Sequence, residues 1–170
     1  IIGVVAQKNE ADEDPTSDQI HHVGTVARIM RVLKMPDGNT TIILQGKKRF
    51  EIEEFTQSEP YFKAKIKEVT EIRPKKNDEE FATIIESIKE LSIEIIKESP
   101  NIPSEATFAI KNIESNPFLI NFVSSNMNLN VEDKQNLLSI VDLKQRALET
   151  LRYMNLELQK LELKNDIQSK

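Results

Sequence analysis

A chain of 170 residues can bury a real core, as one domain or two small ones. Its 23 Lys and Arg against 28 Asp and Glu leave a formal charge of −5, which counts against a duplex-DNA binder, because phosphate contact needs a concentrated basic surface. The absence of cysteine excludes disulfides, thiolate nucleophiles and thiolate zinc sites.

Residues 2–8, opened by Ile1-Ile2-Gly3-Val4-Val5-Ala6, read as a strand. The run is too short to span a membrane and has no basic stretch before it, so it is not a signal peptide. The chain starts on Ile and enters this strand directly, so a fragment of a longer protein is expected. Residues 9–17 form an acidic loop around Pro15, too hydrophilic to pack. Strands are expected at 25–33, with Val26, Ile29, Val32 and Leu33, and at 40–45, with Ile42, Ile43 and Leu44. Between them Met35-Pro36-Asp37-Gly38 predicts a hairpin: Pro presets φ at the turn's second position, Asp tolerates the third, and Gly supplies the positive φ. Further strands follow at 49–55 and 61–72, where Phe62, Ala64 and Ile66 alternate with Lys63, Lys65 and Lys67. About five short strands with no helix between them predict an antiparallel barrel or sandwich with one wet face.

The pattern turns helical after Arg73-Pro74-Lys75-Lys76-Asn77. Asn77 and Glu80 suit a capping box ahead of the stripe Phe81, Ile84, Ile85, Ile88, Leu91 and Ile95, which Pro100 ends. A short helix over 104–113 should turn Phe108, Ala109 and Ile113 inward. Asn116-Pro117 opens another, Asn130 or Val131 a third. Asp142 opens the last, which has no breaker through Lys170 and carries Leu148, Leu151, Met154, Leu158 and Leu161 as a stripe, with Leu156 and Leu163 off it. About 27 helical residues extend roughly 40 Å, so the far half is expected to outrun the bundle.

Chemistry is sparse. His21 and His22 are adjacent, and neighbouring strand side chains point to opposite faces, so they do not readily share a metal or a relay. The four glycines, Gly3, Gly24, Gly38 and Gly46, form no phosphate-cradling loop. Asp12-Glu13-Asp14, Glu53-Glu54, Asp78-Glu79-Glu80 and Glu132-Asp133 fit solvation and helix capping better than metal binding. Lys47-Lys48-Arg49 and Lys75-Lys76 fit edge protection better than nucleic-acid contact. No residue qualifies as catalytic, cofactor-binding or metal-ligating, and such an inventory points to binding or assembly.

Several local strings, in order, resemble the amino-terminal domain of the ATP-dependent Lon proteases. They are Gly24-Thr25-Val26-Ala27-Arg28-Ile29, Met35-Pro36-Asp37-Gly38, Gln45-Gly46-Lys47-Lys48-Arg49-Phe50 and Pro60-Tyr61-Phe62-Lys63-Ala64. Downstream, the segment opened by Asn116-Pro117-Phe118-Leu119 and the run Leu129-Asn130-Val131-Glu132-Asp133-Lys134-Gln135-Asn136-Leu137-Leu138 resemble the same family's helical bundle, and Arg146-Ala147-Leu148 opens its long helix. Asn121 and Ser124 stand where the family has Asp and Ala.

The resemblance implies an α+β protein: a PUA-like antiparallel β-barrel over residues 1–74, lacking its first strands, then a helical bundle over 77–170 ending in a long connecting helix at about 142–170. It implies a non-catalytic part of a homo-hexameric Ser-Lys endopeptidase, in the bacterial cytoplasm in preference to the mitochondrial matrix. Its partners would be unfolded or degron-bearing proteins and copies of itself, with no membrane and nucleic acid disfavoured. ATP and Mg are expected only in the parent's ATPase module. No motif assigns substrate contacts; apolar side chains near the Met35 hairpin tip are conceivable ones, since Met adapts to varied partners. The other readings are a stand-alone Lon-domain adaptor, whose relatives usually lack the bundle, and a nucleic-acid-binding module.

Overall fold

The computed structural model describes residues 1–169 and divides into two compact units, Ile1–Thr70 and Glu71–Lys170. The first holds four strands, β1 (Ile2–Val4), β2 (Val23–Lys34), β3 (Thr40–Gln57) and β4 (Lys63–Glu68), in one antiparallel sheet of order β1-β2-β3-β4. The class is α+β, as expected. Among the described residues β1 and β4 do not pair with each other, so the sheet is open.

Two expected strands are one. Ala27 faces Gly46 and Val26 faces Lys48, so Lys47 is the extra residue of a bulge, and the Gln45-Gly46-Lys47-Lys48 run bends the strand without turning it. The first strand is shorter than expected. It stops at Val4, and the chain returns only as an isolated bridge between Gln7 and Ile20. The acidic loop is tied at its base, where Lys8 N donates to Gln19 O (2.8 Å) and His21 N to Ala6 O (2.8 Å). Inside it, Gln7 Nε2 donates to Asp12 O (2.6 Å) and Thr16 N to Gln19 Oε1 (2.8 Å), so its polar residues pack upon themselves.

The core of this unit is small: Ile20, Ala27, Phe50 and Ile52. Phe50 lies across two neighbouring strands because both present glycine. A methyl group at Gly3 would sit 3.0 Å from Phe50 Cζ, and one at Gly24 would sit 3.1 Å from it. The hairpin forms as predicted. Gly38 takes φ +89°, Gly38 N donates to Met35 O (3.0 Å) and Met35 N to Asn39 O (2.8 Å).

The second unit holds α1 (Glu79–Glu98), α2 (Glu105–Lys111), α3 (Asn116–Asn126), α4 (Val131–Ser139) and α5 (Leu143–Gln168). Phe81, Ile84, Ile85 and Ile88 bury the expected stripe of α1 against Leu119, Ile120, Leu143, Ala147 and Met154. Caps shift by one residue at two sites. Asp78, not Asn77, caps α1 by accepting from Phe81 N (2.9 Å), and Ser115, not Asn116, caps α3 by accepting from Phe118 N (3.3 Å). Asn130 and Asp142 cap α4 and α5.

The short α2 reverses an expectation: Phe108 is 73% exposed and Ala109 is exposed, whereas Ile110 is buried. Seven residues offer only two turns, and Ile110 takes the inward position. Along α5 the buried line runs Leu143, Ala147, Thr150, Met154 and Leu158, while Leu148 turns outward. Beyond Leu158 no described residue of α5 is buried, and Leu163 and Ile167 are exposed, as expected of its far half, although α1 runs beside it. Lys144 Nζ meets Asp78 (3.0 Å) at one end of α1, and Asn165 Nδ2 donates to Glu98 Oε2 (2.7 Å) at the other, so the two helices run parallel for the length of α1. Lys170, the expected last helical residue, lies outside the described residues.

A buried cation fixes the start of this unit. Arg146 is 1% exposed, donates from one terminal nitrogen to Glu71 Oε1 and from the other to Ile140 O (2.8 Å), and Ile72 is bonded to both Val141 O and Leu143 N. Among the described residues no helix is long and apolar enough to cross a membrane.

Candidate functional site

The middle strands of the sheet are much longer than their neighbours, and this difference creates the surface of interest. β1 pairs only with residues 25–27 of β2, and β4 only with residues 50–57 of β3. Residues 28–34 and 40–45 therefore form a two-stranded ribbon that neither outer strand accompanies.

Pairing assigns its faces. Ile29 opposes Leu44, Val32 opposes Ile42, and Lys34 opposes Thr40 on one face. Arg28 opposes Gln45, Arg31 opposes Ile43, and Leu33 opposes Thr41 on the other. Met30 is the extra residue of a bulge between the Ile29 and Arg31 pairs. Ile29, Met30, Val32, Met35, Ile42, Ile43 and Leu44 are all exposed. A two-stranded ribbon has too few neighbours to bury them, so one face is an apolar strip and the other is cationic.

The charge is concentrated here. Between Val23 and Arg49 stand Arg28, Arg31, Lys34, Lys47, Lys48 and Arg49 against a single acid, Asp37, in a chain of net −5. Lys48 pairs with Glu68 (3.3 Å), with both side chains more than half exposed, and such a pair adds little stability. Lys47 Nζ donates to Gln45 Oε1 (3.2 Å). Asp37 is held below its ordinary value by accepting from the Asn39 backbone N–H (3.0 Å), then from the Asn39 amide (3.0 Å).

The Met35 tip, the conceivable contact in the sequence, is exposed and sits at the end of this ribbon. The rest of the surface was missed: Arg28, Arg31 and Lys34 are scattered among apolar residues. Arg28 and Arg31, three residues apart, share a face only because of the bulge at Met30, and Lys34 lies on the other face. The histidines divide as expected, His21 half-buried and His22 exposed, with its ring edge-on to Phe55 (5.9 Å). Among the described residues no three His, Asp or Glu side chains are grouped to hold a metal. On α3, Asn121 is exposed and Ser124 is half-buried, its hydroxyl donating to Ile120 O (2.7 Å).

Residues 1–156 match the family model described as the ATP-dependent protease La (LON) substrate-binding domain. A Lon protease of Flavobacterium johnsoniae is 76% identical over the whole chain, which covers 21% of that protein. Those of Karelsulcia muelleri and Cytophaga hutchinsonii are 54% and 47% identical over 88% and 99% of this chain, covering 17% and 21% of theirs. The chain thus spans about a fifth of the length of the curated relatives it matches. Among solved structures, the N-terminal domain of a Mycobacterium avium complex Lon protease superposes with a TM-score of 0.68 at 18% identity, covering 91% of this chain and 90% of that one. A Lon N-terminal domain protein of Xanthomonas campestris gives 0.53 at 15% identity, over 82% of this chain and 72% of that one. These two likenesses concern the fold alone. By its family match over residues 1–156 and its identity to full-length relatives, the chain belongs to the Lon protease substrate-binding domain family.

Proposed function

We propose that this chain is the non-catalytic, substrate-engaging region of an ATP-dependent Lon protease, and that it captures unfolded or degron-bearing polypeptides for a motor and peptidase encoded elsewhere in the parent. The observation that carries the reading is the exposed apolar strip of the ribbon, Ile29, Val32, Ile42 and Leu44, on a chain whose family is defined by substrate binding. Unfolded proteins differ from folded ones chiefly in the apolar side chains and unpaired backbone they present, and an apolar strip beside open strand edges is complementary to both.

In this reading the parent is a homo-hexameric Ser-Lys endopeptidase of the bacterial cytoplasm, in keeping with its bacterial relatives. ATP and Mg serve the parent's motor, and this chain needs no cofactor. Residues 1–74 act as the substrate-facing domain, and residues 77–170 as a helical domain whose long α5 leads towards the motor and contributes to assembly. The test is a titration of the chain against a chemically unfolded model protein beside its native form, at several ionic strengths. Selective binding to the unfolded form that survives added salt is the expected result. Equal binding to both forms, or to neither, overturns the reading.

A further inference from the structure

The segment between β4 and α1, Glu71–Asp78, belongs to no named strand or helix, yet it is fastened to the second unit near both of its ends. All its fastenings go to one place, the α4–α5 junction and the first turn of α5.

The first fastening is electrostatic. A guanidinium taken out of water needs a counter-charge and acceptors, and buried Arg146 finds them in the Glu71 carboxylate and Ile140 O (2.8 Å). Glu71 stands 75 residues earlier in the chain. Its second oxygen faces Arg73 (3.7 Å), inside the same segment.

The second is backbone pairing. Leu143 opens α5, and the first amides of a helix have no acceptor within it. The Asp142 side chain meets one of them, that of Gln145 (3.1 Å). The segment meets another: Leu143 N donates to Ile72 O (2.8 Å), and Ile72 N donates to Val141 O (3.1 Å). Ile72 and Asp142 so form an isolated parallel bridge. Ile72 is no member of the helical core, and backbone bonds set its place.

The third closes the segment. Asp78 caps α1 and accepts from Lys144 Nζ (3.0 Å), while Asp78 N donates to Lys75 O (3.2 Å) and folds residues 75–78 into a turn behind Pro74. On the other side, Val69 belongs to the sheet, its N–H donating to Arg49 O (3.1 Å) on β3. Only Thr70 lies between the Val69 bond and the Glu71 ion pair.

We infer that residues 71–78 are a strap fastened to the first turn of α5, and that the chain passes from the sheet to this strap through a single articulating residue, Thr70. For its purpose alone the inference rests on the substrate-engaging reading above. A shift of α5 then reaches the end of the sheet's chain across one residue, without passing through α1–α4. A contact from elsewhere in the parent would stiffen Thr70 without undoing the bonds that make the strap. The competing account is a flexible linker, which the polar, cationic run Arg73-Pro74-Lys75-Lys76-Asn77 suits by composition.

The test is nuclear magnetic resonance on the isotopically labelled 170-residue chain. Backbone order parameters at Glu71, Ile72 and Asp78 should match those within α5, about 0.85 as for rigid backbone, and the lowest value between β4 and α1 should fall at Thr70. In Glu71→Gln, which removes the charge at nearly the same size, the Leu143 amide should exchange with solvent roughly ten-fold faster than in the parent, with Met154, deep in α5, changed far less.

Order parameters below about 0.6 at Glu71 and Ile72 in the unaltered chain overturn the inference, whether or not the variant folds. A minimum at Lys75–Asn77 in place of Thr70 puts the joint in the linker and overturns it as well. So does equal acceleration at Leu143 and Met154, which would mean that the ion pair stabilises the whole bundle without fastening the strap. The same sample serves the titration with unfolded protein. Selective binding beside a disordered strap keeps the substrate-engaging reading and ends this inference; an ordered strap without binding does the reverse.

Discussion

Asp78 carries two tasks at one position. It caps α1 through Phe81 N and it accepts from Lys144, and these contacts, the backbone one first, hold its carboxyl below the ordinary carboxylate value. Lys144 is correspondingly raised, chiefly by its hydrogen bond to Asp78, against burial, which lowers it, and with a lesser contribution from Glu80. A depressed folded value means that the unfolded chain binds the proton more readily. The contribution of Asp78 is therefore complete above the unfolded carboxylate value, near 4, and is lost as pH falls through its folded value. Thermal unfolding of Asp78→Asn, which keeps a good capping group but not the charge, should give a lower midpoint than the parent at pH 7. The gap should close below about pH 4. A gap that stays constant across pH would mean that the charge contributes nothing. Arg146 is the other such residue. Its removal as Arg146→Ala leaves half-buried Glu71 with only the longer contact to exposed Arg73 (3.7 Å) and opens a cavity, at a cost of about 3 kcal/mol in a urea titration. No change in the transition would mean that water replaces the pair.

At the level of elements, helices were more legible than strands, for a reason visible in particular residues. The α1 stripe from Phe81 to Ile88 is read directly from three- and four-residue spacing, because burial there follows the helix's own period. In α2 the period is too short to fix a phase, so Phe108 and Ile110 could exchange roles in the sequence, and only the packing of Ile110 decides. The hairpin at Gly38 was legible because its turn demands particular residue types, whereas the bulge at Lys47 has no comparable signature, and the sequence divides β3 into two strands there. The two strands of the ribbon and its hairpin were legible, but its exposure was not, since that depends on where β1 and β4 stop. Amide hydrogen exchange tests that geometry. Residues 28–34 and 40–46 should exchange faster than Phe50 and Glu51, which pair with both β2 and β4. Gly38→Ala, forced to a positive φ, should destabilise the turn by about 1 kcal/mol and speed ribbon exchange further. Equal protection along β3 would mean that the ribbon is not a free arm.

For the whole molecule, the sequence conveyed the family and the α+β class, and the absence of any candidate nucleophile or phosphate loop directed attention to binding. It could not convey the candidate surface, because a ribbon with an apolar strip and a cationic face is a property of pairing, not of composition. The net charge of −5 even misleads, since it averages a basic ribbon into an acidic chain. The central claim is that this ribbon engages unfolded polypeptide. Its most direct measurement is the affinity of an unfolded model protein for the chain and for an Ile42→Glu/Leu44→Glu variant, whose two sites share the exposed face and lie outside the core. The account predicts affinity roughly ten-fold lower for the variant, with its thermal unfolding midpoint little changed. Unchanged affinity in a variant that folds as the parent does would contradict it.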